Sequence, residues 1–154
     1  MYTALLLLHS WLRWVVVFSG IATLGGAANG VTTGRAWSSA DDLRARIFTI
    51  SLDVQLLIGL VLYALLSPVT ESGFADMGAA MRDPVLRFYT VEHLVGMLAA
   101  VALAHIGGAR ARKATDAKAR HRTVLVFVGL AMIALLLSIP WPGMPGGRVL
   151  FRGL

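Results

Sequence analysis

The chain has 154 residues, 57% of them hydrophobic and 14% charged, where ordinary soluble proteins carry roughly 25% charged residues. With a mean hydropathy of +0.73 and a length that allows one domain, 1–154, a soluble fold has no room to hide this much apolar sequence. The chain has no cysteine, which excludes disulfides, a CxxCH haem attachment, iron–sulfur ligation and a thiol nucleophile.

A membrane-crossing helix needs about 20 mostly apolar residues. The first such run is 2–28. Its opening, MYTALLLLHSWLRW, has neither the basic start nor the cleavage site of a signal peptide, which predicts a retained helix. The second run, 47–66, stops at Ser67-Pro68. The third, 85–108, begins after Asp83-Pro84 and closes at Gly107-Gly108, and the fourth, 123–139, ends at Pro140-Trp141-Pro142. Each boundary falls on glycine, proline or charge, as helix ends should. Short connections favour antiparallel neighbours, so the expected fold is all-α: an integral membrane four-helix up-down bundle.

The net charge of +6 does not point to nucleic acid, because the cations sit in short connections between apolar runs. Arg110, Arg112, Lys113, Lys118, Arg120 and Arg122 lie between spans three and four, and Arg35, Arg44 and Arg46 between one and two. The positive-inside rule puts these connections in the cytoplasm and both termini outside. Trp11, Trp14 and Trp141 then read as an outer interfacial belt. Gly20, Gly25 and Gly26 in span one, and Ala99, Ala100 and Ala104 in span three, read as close helix contacts or as clearance for a flat cofactor.

All four histidines lie in or beside the spans, where an ionisable group needs a reason. His9 and His93 each lie about two turns into an inward-running helix, so they share one layer of the bundle. Two neutral imidazoles at one depth can ligate a six-coordinate b-type haem; the alternatives are another metal, or hydrogen bonds to each other or to backbone. Arg13, Val16 and Gly20 continue the stripe of His9, while Tyr89, Gly96, Met97, Ala100 and Ala104 share that of His93. His105 and His121 occupy an inner layer and offer a second haem site, although His121 sits in the basic run ARHRT and also reads as solvated. Arg13 can neutralise a propionate or pair with Glu92, and Glu92 reads as a supporting partner rather than a ligand. Asp53 can orient His105, move a proton or pair with an arginine. Gln55 and Tyr63 can reach a quinone carbonyl or join helices. Met77, Met81 and Met144 offer soft copper ligands or ordinary packing.

The stretches LHSWLRW, QLLIGLVLY, RFYTVEHLVGM, ARHRT and IPWP resemble a family of small bacterial four-helix membrane proteins labelled cytochrome b-like. The resemblance covers most of the chain. It implies haem b held through His9 and His93, and a place in the bacterial cytoplasmic membrane. The first helix is also similar, over a short stretch, to CopD-type copper-resistance membrane proteins. The leading expectation is electron transfer through one or two haems, with a quinone, a partner oxidoreductase or a second copy of the chain as partner. A copper or ion transporter and a cofactor-free anchor subunit are the alternatives. No phosphate-binding, zinc-hydrolase or serine-nucleophile motif is present.

Overall fold

The computed structural model describes residues 1–151. Four long helices dominate it: α1 (Tyr2–Thr33), α2 (Ser39–Leu66), α5 (Pro84–Arg112) and α6 (Ala117–Leu137). Two short helices, α3 (Pro68–Ala75) and α4 (Met77–Arg82), fill the connection between α2 and α5. All four long helices are long and apolar enough to cross a membrane. They are longer than the expected spans at most ends, because capped polar turns extend them beyond the apolar runs.

The ends follow local chemistry. Gly34 closes α1 in the left-handed region (φ 69°), where glycine meets no Cβ penalty. The Asp41 carboxylate accepts from Ser38 N and Oγ at the start of α2, and also takes both terminal nitrogens of Arg35 at 2.6 and 2.7 Å. Asp83 accepts from Val85 N and Leu86 N at 2.8 Å, with Pro84 opening α5. Asp116 caps α6 through Ala119 N.

In the packed bundle α1 touches α2 and α6, and α5 touches α6 and α2. The helices therefore form an up-down square with α1 and α5 on one diagonal. The start of α1 and the end of α6 lie at one end of this square, the termini end; the tight connections carrying the arginine-rich segments lie at the other. Apart from Phe48 the buried apolar side chains of the interior are small or medium: Val16, Leu52, Ala100, Ala104, Val128, Ala131 and Leu135 are buried with it. Outward faces are apolar too, as Phe18, Ile50, Leu57, Val95 and Ile133 are exposed. An apolar exterior around an apolar core is what a lipid environment selects.

The small residues serve helix contact. A Cβ on Gly20 would overlap the Met132 side chain, and one on Gly96 would overlap Ser138. The space beside Gly20 is thus filled by Met132 of α6 and that beside Gly96 by Ser138, the residue after α6, so Gly20 serves helix contact, the first of its two expected roles. Two five-residue π turns interrupt the long helices, Leu62–Leu66 in α2 and Phe88–Glu92 in α5. Both lie near the termini end, and the second leads directly into His93. Such turns recur at functional sites.

Candidate functional site

His9 of α1 and His93 of α5 reach across the diagonal toward one another. Their ring centroids are 6.3 Å apart, with the planes at 72°. Helical rise puts them at one depth; the diagonal packing brings the two rings edge to face.

Each ring is held differently. His93 Nδ1 lies 2.6 Å from the carbonyl of Ser138, just past the end of α6. A carbonyl only accepts, so Nδ1 carries the proton and Nε2 is left with its lone pair. The His9 ring packs against Gly59 of α2, where a Cβ would come within 3.1 Å of His9 Cε1. Gln55 Nε2 donates to the His9 carbonyl at 3.0 Å and ties α2 to this turn of α1. His9 Nδ1 is buried with no hydrogen-bond partner. A buried polar atom left unsatisfied costs about 1–3 kcal/mol.

Both histidines line a cavity of about 100 Å³. Leu6, Val16, Leu62, Met97, Leu135 and Ile139 supply apolar walls, while Arg13, Tyr63, Tyr89 and Arg148 add polar groups. The donor set suits a metal held from two sides. With metal–nitrogen bonds of about 2.0–2.1 Å and ring centres a further ~1.1 Å behind, two imidazoles flanking one ion have centroids ~6 Å apart. A ligating histidine characteristically donates its other ring N–H to a carbonyl or carboxylate, which fixes tautomer and orientation; His93 does so already. Only two protein ligands converge here, and among the described residues no group of three or more His, Asp or Glu could hold an ion.

Tyr89 lines the cavity, with its ring 6.5 Å from that of His93. Arg13 also lines it and is 9% exposed. Its Nη2 donates to the Leu150 carbonyl at 2.7 Å, so the pairing with Glu92 does not occur. Glu92 is exposed and accepts from Arg87 Nε at 2.6 Å. The reason lies in the π turn: residues five apart, 87 and 92, come onto one face across it, and that face points away from the cavity. Glu92 is not among the residues lining the cavity.

The inner layer is arranged differently. His121 is fully buried, not solvated, even though ARHRT is a basic run. Its ring fills the notch left by Gly30 of α1 and lies 4.8 Å from the Trp37 ring. Arg120 covers the other side of Trp37 at 4.2 Å and pairs with Asp42. His105 instead points outward from α5 and bonds Asp53 of α2, Nε2 to Oδ1 at 2.9 Å. Asp53 thus orients His105, one of its three expected roles. His105 and His121 contact different partners, on α2 and α1 respectively.

Gln55 and Tyr63 serve as helix ties: Tyr63 Oη donates to the Thr90 carbonyl at 2.7 Å. Met77, Met81 and Met144 are each more than 40% exposed. One residue that sequence reasoning passed over is Arg148. It reaches the cavity from beyond α6, and no periodicity or motif marks it. Comparison of the chain with protein-family models, with curated proteins and with solved structures finds no match.

Proposed function

We propose that this chain binds one b-type haem between His9 and His93 and carries electrons within the bacterial cytoplasmic membrane, with both termini outside. The observation that carries the reading is the His9–His93 pair: two rings on diagonal helices, 6.3 Å apart, one with its tautomer set by a backbone carbonyl. Haem, when bound, supplies a reversible one-electron couple.

The residues of the chain would do the rest. His9 and His93 would hold the iron from two sides, and the Ser138 carbonyl would raise the basicity of the His93 ring. Leu6, Val16, Met97, Leu135 and Ile139 would exclude water, which sets the dielectric around the centre. Tyr89 would flank it. Pockets for drug-sized ligands run about 300–1,000 Å³, more than the cavity encloses, so side chains must swing aside on loading. Met97, with its flexible thioether, is suited to do so. A quinone or a partner oxidoreductase would exchange electrons with this centre from the lipid phase or the outer surface.

Visible spectra of the full-length protein from haem-replete cells, oxidised and dithionite-reduced, test the reading. A low-spin bis-imidazole spectrum with one haem per chain is expected. His9→Ala or His93→Ala should lose haem or leave it five-coordinate, and His105→Ala should keep both stoichiometry and spectrum. If both His9 and His93 variants retain the unmodified spectrum, the ligand assignment is wrong. A colourless unmodified protein would favour a cofactor-free anchor, a reading in line with Gln55 and Tyr63 acting as ties between helices.

A further inference from the structure

The segment that follows α6 does not leave the bundle. It turns back across the termini end of the cavity and is fastened at several points. Arg148 N donates to Pro140 O at 3.1 Å, and Tyr89 Oη to Gly146 O at 2.6 Å. Arg13 Nη2 and Trp14 Nε1 both donate to Leu150 O, at 2.7 and 3.3 Å. The rings of Phe151 and Trp14 stack 5.2 Å apart at 12°. Gly146, with φ +72°, sits where a Cβ would press on Tyr89 and Val85. Together these contacts carry Arg148 to the cavity, with its guanidinium 4.5 Å from the centre of the Tyr89 ring.

Two guanidinium groups therefore line one cavity. No Asp or Glu lines it with them. None of the described carboxylates pairs with Arg13 or Arg148. Arg13 is also more than nine-tenths buried, and its Nε has no partner. Arg13 has a backbone carbonyl and the Trp14 ring beside it but no carboxylate, and a cation inside a membrane span costs roughly 2.5–3.5 kcal/mol or more. The same low dielectric strengthens its attraction for an anion, and the planar fork of arginine matches a carboxylate.

The geometry points to a clamp: Arg13 from α1 and Arg148 from the C-terminal segment take the carboxylate edge of an otherwise apolar occupant, at the termini end of the cavity. The inference rests on the haem reading and deepens it, because it assigns the two propionates to these two arginines. It makes the C-terminal segment part of the binding site, with Tyr89 steadying Arg148 from beneath.

Haem and haem dimethyl ester share ring and iron but differ in the charge of the two propionates, so they isolate the clamp. Each is titrated into full-length protein produced without haem and followed by its visible spectrum. The unmodified protein should bind haem about tenfold to a hundredfold tighter than the ester, as charge-assisted hydrogen bonds would give. Arg148→Gln and Arg13→Gln should each shrink that preference while leaving ester affinity unchanged, and the double variant should abolish it. Arg148→Lys should restore part of it, since charge remains and the fork is lost. Ester binding by each variant reports that the bundle has folded; should Arg13→Gln lose it, the Arg148 variants, outside the four helices, decide. Equal affinity of the unmodified protein for both ligands, with a low-spin spectrum for each, overturns the clamp and leaves the haem reading standing. Binding of neither overturns the haem reading and the clamp with it.

Discussion

Gly59 and His9 fit together as notch and ring: a Cβ added to Gly59 would stand 3.1 Å from His9 Cε1. The absence of a side chain on α2 is what lets the Cε1 corner of the α1 imidazole come this close to the α2 backbone. Gln55, one turn earlier, bonds the backbone of the same residue. Helix α2 therefore contributes no histidine to the pair yet packs against one of the two.

That relationship makes Gly59 a test of the site separate from its ligands. Gly59→Ala should press the ring by a few tenths of an ångström, and Gly59→Leu should displace it outright. Overpacking of this kind costs about 1–3 kcal/mol. Haem titrations should show weakened binding in the alanine variant and loss of the six-coordinate spectrum in the leucine variant, with helical circular dichroism unchanged. A leucine variant with the unmodified spectrum would mean that His9 does not need this notch.

His121 and Gly30 make a second notch, at the opposite end, where the ring fills the space that the glycine leaves. Gly30→Ala should destabilise strongly, since its Cβ would overlap the imidazole. His121→Ala should destabilise as well, by leaving a hole. The double variant should be more stable than the sum of the two losses predicts, with a coupling of about 1–3 kcal/mol. Thermal unfolding in detergent measures all three. Strict additivity would show that the two residues do not share the space.

Orientation is open to direct labelling, because the chain has no cysteine of its own. Ser72→Cys in α3 and Thr115→Cys between α5 and α6 are both at exposed positions. An impermeant thiol reagent applied to intact cells should label the first and not the second. The expectation comes from the arginines and lysines on either side of Thr115, which the positive-inside rule retains in the cytoplasm. The reverse labelling pattern would invert the topology and put the haem centre nearer the inner surface.

Helix number and type are legible in the amino-acid sequence alone. Four apolar runs bounded by Ser67-Pro68, Asp83-Pro84, Gly107-Gly108 and Pro140-Trp141-Pro142 allow four spans and little else, because lipid leaves no other way to satisfy the backbone. The shared depth of His9 and His93 is legible for a related reason: a fixed rise per residue turns position in a run into depth. Tertiary structure decides the rest. Which helices face across the diagonal depends on side-chain fit, as when Met132 fills the space beside Gly20. The turning of Glu92 toward Arg87 comes from a π turn, which shifts phase within a helix and leaves no mark in an apolar pattern. His121 is buried because Gly30, ninety-one positions earlier, lacks a side chain. Arg148 joins the cavity through contacts such as Arg13 to Leu150, 137 residues apart. Local periodicity reports one helix at a time; only packing brings together residues this distant in the chain.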